Sequence, residues 1–127
     1  MNKMDLNKLS FNELKKQMEE IETTTKTLNK PKGLTYCIIR TYSAGVFAGL
    51  IDRTVKGMEG TIYDSRRLWY WDGAASLSQL ANDGVKNPDN CKFSQTVEEI
   101  DLKEIIEIIP CKLKAEKCIK QVIVWEK

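Results

Sequence analysis

The chain has 127 residues and a mass of 14.6 kDa, room for one domain with a core of its own and little beyond it. Hydrophobic residues make up 42% and charged residues 30%, which excludes an intrinsically disordered chain. The formal net charge is only +2, too small for a domain held to long nucleic acid by bulk electrostatics, so any anion has to be met by a local cluster.

A helix is expected from Ser10. Ser10 and Glu13 make a capping box, with Leu9 and Leu14 at the staple positions. Phe11, Leu14, Met18, Ile21, Thr25 and Leu28 then recur at steps of three and four, a narrow heptad-like stripe with Lys and Glu on the other faces. Residues 1–30 therefore read as an N-terminal amphipathic helix, which either packs on its own domain or forms an oligomer seam. Lys30-Pro31-Lys32-Gly33 is a linker. Residues 34–127 form the second unit.

In that unit the period changes from 3.6 to 2. Residues 34–42 and 46–51 are rich in β-branched and aromatic side chains and flank the turn Ser43-Ala44-Gly45. A polar, Gly-containing turn over residues 54–60 precedes a third strand over residues 61–71, completing an antiparallel meander. Asp72 is the expected N-cap of a helix over residues 73–83, closed by Gly84. Residues 93–97 suggest a short strand. Asp101-Leu102-Lys103-Glu104 reads as a capping pattern, opening a helix with Leu102, Ile105, Ile106 and Ile109 inward. A last helix is expected over residues 112–120, and residues 122–125 either add an edge strand or dock on the core. The fold class is α+β: a small antiparallel sheet packed with short helices, plus the N-terminal helix.

The chain contains no histidine, which removes imidazole from catalysis and from metal ligation. Its four cysteines lack metal-ligand spacing; Cys37 and Cys118 sit in apolar runs and read as small core residues. No signal-like or membrane-spanning apolar stretch occurs, so a soluble cytoplasmic protein with reduced thiols is expected, without metal, cofactor or membrane partner. Phosphate-loop, dinucleotide and serine-nucleophile motifs are absent as well, and the sequence reads as a binder rather than an enzyme.

The informative segment is Arg66-Arg67-Leu68-Trp69-Tyr70-Trp71. Strand alternation puts Arg67, Trp69 and Trp71 on one face. Guanidinium beside indole suits a ligand with a phosphate and a base. The expected helix start would add free amides at Gly73, Ala74 and Ala75 and the Ser76 hydroxyl. Arg40 and Tyr42 share a face at the end of the first strand, and Asn90 and Phe93 offer an amide and a ring. The plainer alternative is that the aromatics are core residues and the arginines lie on a solvated face.

Residues 36–45 (YCIIRTYSAG), 66–81 (RRLWYWDGAASLSQLA), 88–93 (PDNCKF), 105–111 (IIEIIPC) and the closing Val124-Trp125 resemble a family of small phage proteins. That family contains the first type of anti-Thoeris sponge protein, and the resemblance spans residues 34–127. Thoeris systems use a TIR-domain enzyme to turn NAD into a cyclic ADP-ribose isomer that activates a killing effector. The resemblance implies a protein that binds this signal and holds it uncleaved. It also implies homo-oligomers and, for some members, cyclic oligonucleotides at a separate site. The expected site is then a cleft between protomers, lined by Arg40, Tyr42, Arg67, Trp71, Gly73, Ala74, Ser76, Asn90 and Phe93. Two rivals stand beside it: a protein–protein inhibitor of a host factor, and a cyclic oligonucleotide-binding module.

Overall fold

The computed structural model describes residues 31–54 and 56–126. The helix expected over residues 1–30 lies outside them. The chain divides at the linker into Met1–Lys32 and Gly33–Lys127, and the second unit has an α+β fold: a six-stranded antiparallel sheet with two helices.

β1 (Thr35–Thr41) and β2 (Val46–Ile51) form a hairpin with Arg40 opposite Val46. In its turn Thr41 Oγ1 donates to the Gly45 carbonyl at 2.8 Å and accepts from the Ala44 amide at 2.9 Å. Gly45 takes φ 99°, a left-handed value that a side chain would strain. β3 (Gly60–Tyr70) pairs with β2 as the expected third strand. Its outer edge carries two partners in succession: β4 (Lys92–Phe93) beside residues 68–70 and β5 (Val97–Leu102) beside residues 60–65.

β6 (Ile105–Pro110) pairs instead with β1, at the far side of the sheet. The turn at residues 103–104 therefore joins opposite edges, and the sheet curls around one of its own faces. This corrects the helix expected from the Asp101–Glu104 capping pattern. Ile105, Ile106, Ile108 and Ile109 are β-branched, and their ladder partners on β1 lie more than sixty residues away in sequence. A long-range ladder outcompetes a local cap signal that no tertiary contact supports. The strand expected at residues 93–97 is instead a break: Phe93 ends β4, residues 94–96 belong to no strand, and Val97 opens β5.

α1 is Leu77–Asp83 and α2 is Leu113–Gln121. They cover one face of the sheet, where Tyr36, Ile38, Ala48 and Leu68 pack on Leu80 and Ile119. On the curled face Cys37, Ile39, Phe47 and Ile62 are closed over by Leu102 and Ile105. With both faces covered, β1 and β2 are apolar on both sides over most of their length, and their sequences read as near-continuous apolar runs. Ile38, Ile39 and Phe47 are fully buried, each contributing roughly 1.5–3 kcal/mol. The C-terminal residues dock: Val124 bridges to Phe93, and the Trp125 amide donates to the Phe93 carbonyl at 2.9 Å.

Candidate functional site

Two irregularities in β3 decide which side chains face the interior of the curl. Between Ala48 and Leu50 the register with β2 slips, so that two residues of β3, Asp64 and Ser65, stand against Gly49 alone. Asp64 takes φ 50°, and a Cβ on Gly49 would lie 2.5 Å from Ile62 Cγ2 and 3.1 Å from Ser65 Cα. The bulge thus needs a glycine opposite it. It also inverts the alternation: before it the even-numbered Ile62 faces the interior, and after it Ser65, Arg67 and Trp69 do. A second slip, between Leu68 and Tyr70 against β4, inverts it again.

Between β4 and β5 the edge strand breaks at residues 94–96, beside Arg67. There the Arg67 amide donates to Ser94 Oγ at 2.8 Å, and the Ser94 amide donates to the Arg67 carbonyl at 2.9 Å. The break opens a cavity of about 470 Å³ whose walls include Phe47, Ser65, Arg67, Trp69 and Trp125. The Arg67 guanidinium lies on the Phe47 ring at 4.8 Å, and the Trp69 and Trp125 rings meet edge to face at 5.6 Å. Lys92 stands over Trp125 at 5.3 Å on the outer side of this wall.

Three buried side-chain polar atoms have no hydrogen-bond partner among the described residues: Ser65 Oγ, Arg66 Nη2 and Arg67 Nε. Two of the three belong to residues lining this cavity. A buried donor without a partner costs about 1–3 kcal/mol, so a ligand that satisfies it regains that energy. A guanidinium binds the oxygens of an anion in a planar fork, and the indole wall offers a surface for a flat base.

Of the expected site residues, Arg67 alone lines this cavity. Trp71 lies beyond the second slip and packs against the helix-side core. Phe93 is fully buried there and cannot stack on a ligand. Arg40 alternates with Tyr36 and Ile38, away from Arg67, and its Nε lies 3.3 Å from Glu107 Oε1. Tyr42 is exposed, its amide donating to the Glu104 carbonyl at 2.9 Å.

The free helix start is also corrected. α1 begins at Leu77, with Ser76 as its N-cap. Ser76 Oγ accepts from the Gln79 amide at 3.1 Å, and Gln79 Oε1 accepts from the Ala75 amide at 2.9 Å. Ser76-x-x-Gln79 has the capping-box sequence, with Gln79 reaching back to the amide before the N-cap; it is the signal that Asp72 masked. A Cβ on Gly73 would lie 2.5 Å from the Lys86 nitrogen, and Ala74 packs against the core. Asp72 binds the neighbouring turn instead: Asn87 and Asn90 donate to its two carboxylate oxygens at 3.1 and 3.0 Å. Those bonds hold the Asp72 carboxyl below the usual range, Asn90 contributing most. Sequence reasoning missed Phe47, Ser65 and Trp125 because nothing local announces the bulge or brings the C-terminus to β3.

These strands and helices lie within a recognised domain. The chain belongs to the family described as Domain of unknown function (DUF6948), whose match covers residues 34–119. That span holds the whole sheet and leaves out Trp125, so one wall of the cavity lies beyond the match. No curated protein and no solved structure matches the chain. Among the described residues no group of three His, Cys, Asp or Glu side chains is placed to hold a metal ion, and no helix is long and apolar enough to cross a membrane.

Proposed function

We propose that this protein is a sponge: it binds a TIR-derived cyclic ADP-ribose signal in the Arg67 cavity and withholds it, uncleaved, from the Thoeris effector. The observation that carries this reading is Arg67 itself, a guanidinium over the Phe47 ring with an unbonded Nε, in one cavity lining with two indoles. The sequence resemblance of residues 34–127 to sponge proteins supports it. A diphosphate matches the guanidinium edge and an adenine matches the indoles. Cleavage would need a paired acid and base. The chain has no histidine, and the cavity wall carries one carboxylate among the described residues, Glu126. Withholding a scarce signal requires affinity near nanomolar, on the order of −12 kcal/mol.

The proposal includes a homo-oligomer. Within one chain Arg40 and exposed Tyr42 do not reach the cavity, and on this reading they enter the site from a second copy. Light scattering that finds a strict monomer at micromolar concentration would remove that part.

The test is incubation with cyclic ADP-ribose isomers, followed by a melting curve and mass spectrometry of the heated supernatant. At a hundredfold excess over Kd the melting temperature should rise on the order of 10 °C, and the ligand should return with its mass unchanged. A hydrolysed product would make the protein an enzyme. Absence of any shift favours the second reading, an inhibitor of a host protein, for which the half-exposed Trp69 and Tyr70 are the natural anchors.

A further inference from the structure

Arg67 stands where two cavities meet. Besides the cavity walled by Trp69 and Trp125, a smaller one of about 280 Å³ runs between the turn at residues 43–44 and the turn at residues 103–104. Arg67 and Ile100 line both. We propose that the site takes a two-lobed ligand: a central diphosphate on Arg67, a base against the Trp69–Trp125 wall, and a sugar in the smaller chamber. This rests on the sequestration reading above and extends it from one cavity to two.

Two observations carry it. Ser65 is 2% exposed and lines the larger cavity beside Arg67; its Oγ and the Arg67 Nε are both buried without a partner, so two unsatisfied polar groups lie in the wall where the diphosphate would sit. The smaller chamber has a different chemistry. Ser43 Oγ donates to Glu104 Oε2 at 2.8 Å within its lining, which also includes Asp101 and Lys103. A hydroxyl–carboxylate pair accepts from sugar hydroxyls and repels a phosphate, which keeps the diphosphate at Arg67. On this arrangement a mononucleotide would fill one chamber only, so the second chamber discriminates by ligand length as well as by charge.

The experiment is calorimetric titration of the full chain with two probes, a cyclic ADP-ribose isomer and AMP. Wild-type protein should prefer the cyclic ADP-ribose isomer by at least a hundredfold. Ala44 is exposed on its turn and lines the smaller chamber, so Ala44→Phe fills that space without touching the core. It should compress the preference to tenfold or less. Glu104→Gln, which keeps the shape and removes the charge, should compress it in the same direction and serves if Ala44→Phe melts early. An unchanged preference in either folded variant overturns the two-chamber site and leaves the sponge reading standing. If neither probe binds wild-type protein, the sponge reading itself falls, and this inference with it.

Discussion

Arg66 donates from Nε to the Ser94 carbonyl at 2.7 Å and from Nη1 to the carbonyls of Ile119 and Val122 at 2.8 and 2.7 Å. Its guanidinium sits over the Phe93 ring at 5.4 Å, and the residue is 3% exposed. It thus ties β3 to the end of α2 and to the chain that leads on to Trp125. Arg67, one residue on, faces the cavity and leaves its Nε unbonded. Hydrogen bonds to a charged group contribute about 1.5–3 kcal/mol each. Arg66→Met removes three of them and strands their acceptors, so it should cost roughly 3–5 kcal/mol, read as a lower urea midpoint at unchanged slope. Arg67→Ala should cost about 1 kcal/mol of ring contact, yet weaken binding of a cyclic ADP-ribose isomer about 10- to 100-fold. If both variants moved stability and affinity alike, this division of labour between neighbours would be wrong.

The division exists because β3 is bulged, and the bulge can be tested through its partner. Gly49→Ala would place a methyl 2.5 Å from Ile62 Cγ2 and 3.0 Å from the Tyr63 carbonyl oxygen. Overpacking of this kind costs about 1–3 kcal/mol. It should also displace Ser65 and Arg67, so that melting temperature and ligand affinity fall together. A variant that melts and binds like wild type would show that the bulge does not depend on the glycine. The same element marks the limit of what the sequence discloses. The hairpin of β1 and β2 and the third strand were legible from β-branched runs and a Ser-Ala-Gly turn, and both helices were placed to within a turn, the first closed by Gly84 but starting at Leu77 rather than Gly73; all of these are local signals. Arg67 was legible too, as a cation among indoles. The curl was not, because β5 and β6 find their partners on β3 and β1 only in three dimensions. Nor was Trp71's true side, since one residue inserted against β4 reverses a face without changing composition.

At the scale of the whole molecule the near-balance of charge leaves stability to the two apolar clusters, and the ionisable groups caught in them set its pH limit. Burial pushes the Cys37 thiol up to about 11, with Arg53 opposing, and the Cys111 thiol up to about 12, with Cys37 and Glu116 adding to the effect. Tyr36 is raised as well, by burial first and then by Cys111. All three are neutral in the fold and ionise more readily once unfolded, the thiols near pH ~8.5. Raised values mean that the stability these groups lend is complete below pH ~8.5. It drains away as the pH climbs toward 11 and 12, because the unfolded chain loses protons that the folded one retains. The melting temperature should therefore hold steady from pH 7 to 8 and drop by several degrees by pH 10.5. Replacing both thiols, Cys37→Val with Cys111→Val, should flatten that decline while Tyr36 keeps part of it. A melting temperature that stays level to pH 10.5 in the wild-type protein would mean that water reaches these side chains and that the clusters on the two faces of the sheet are open.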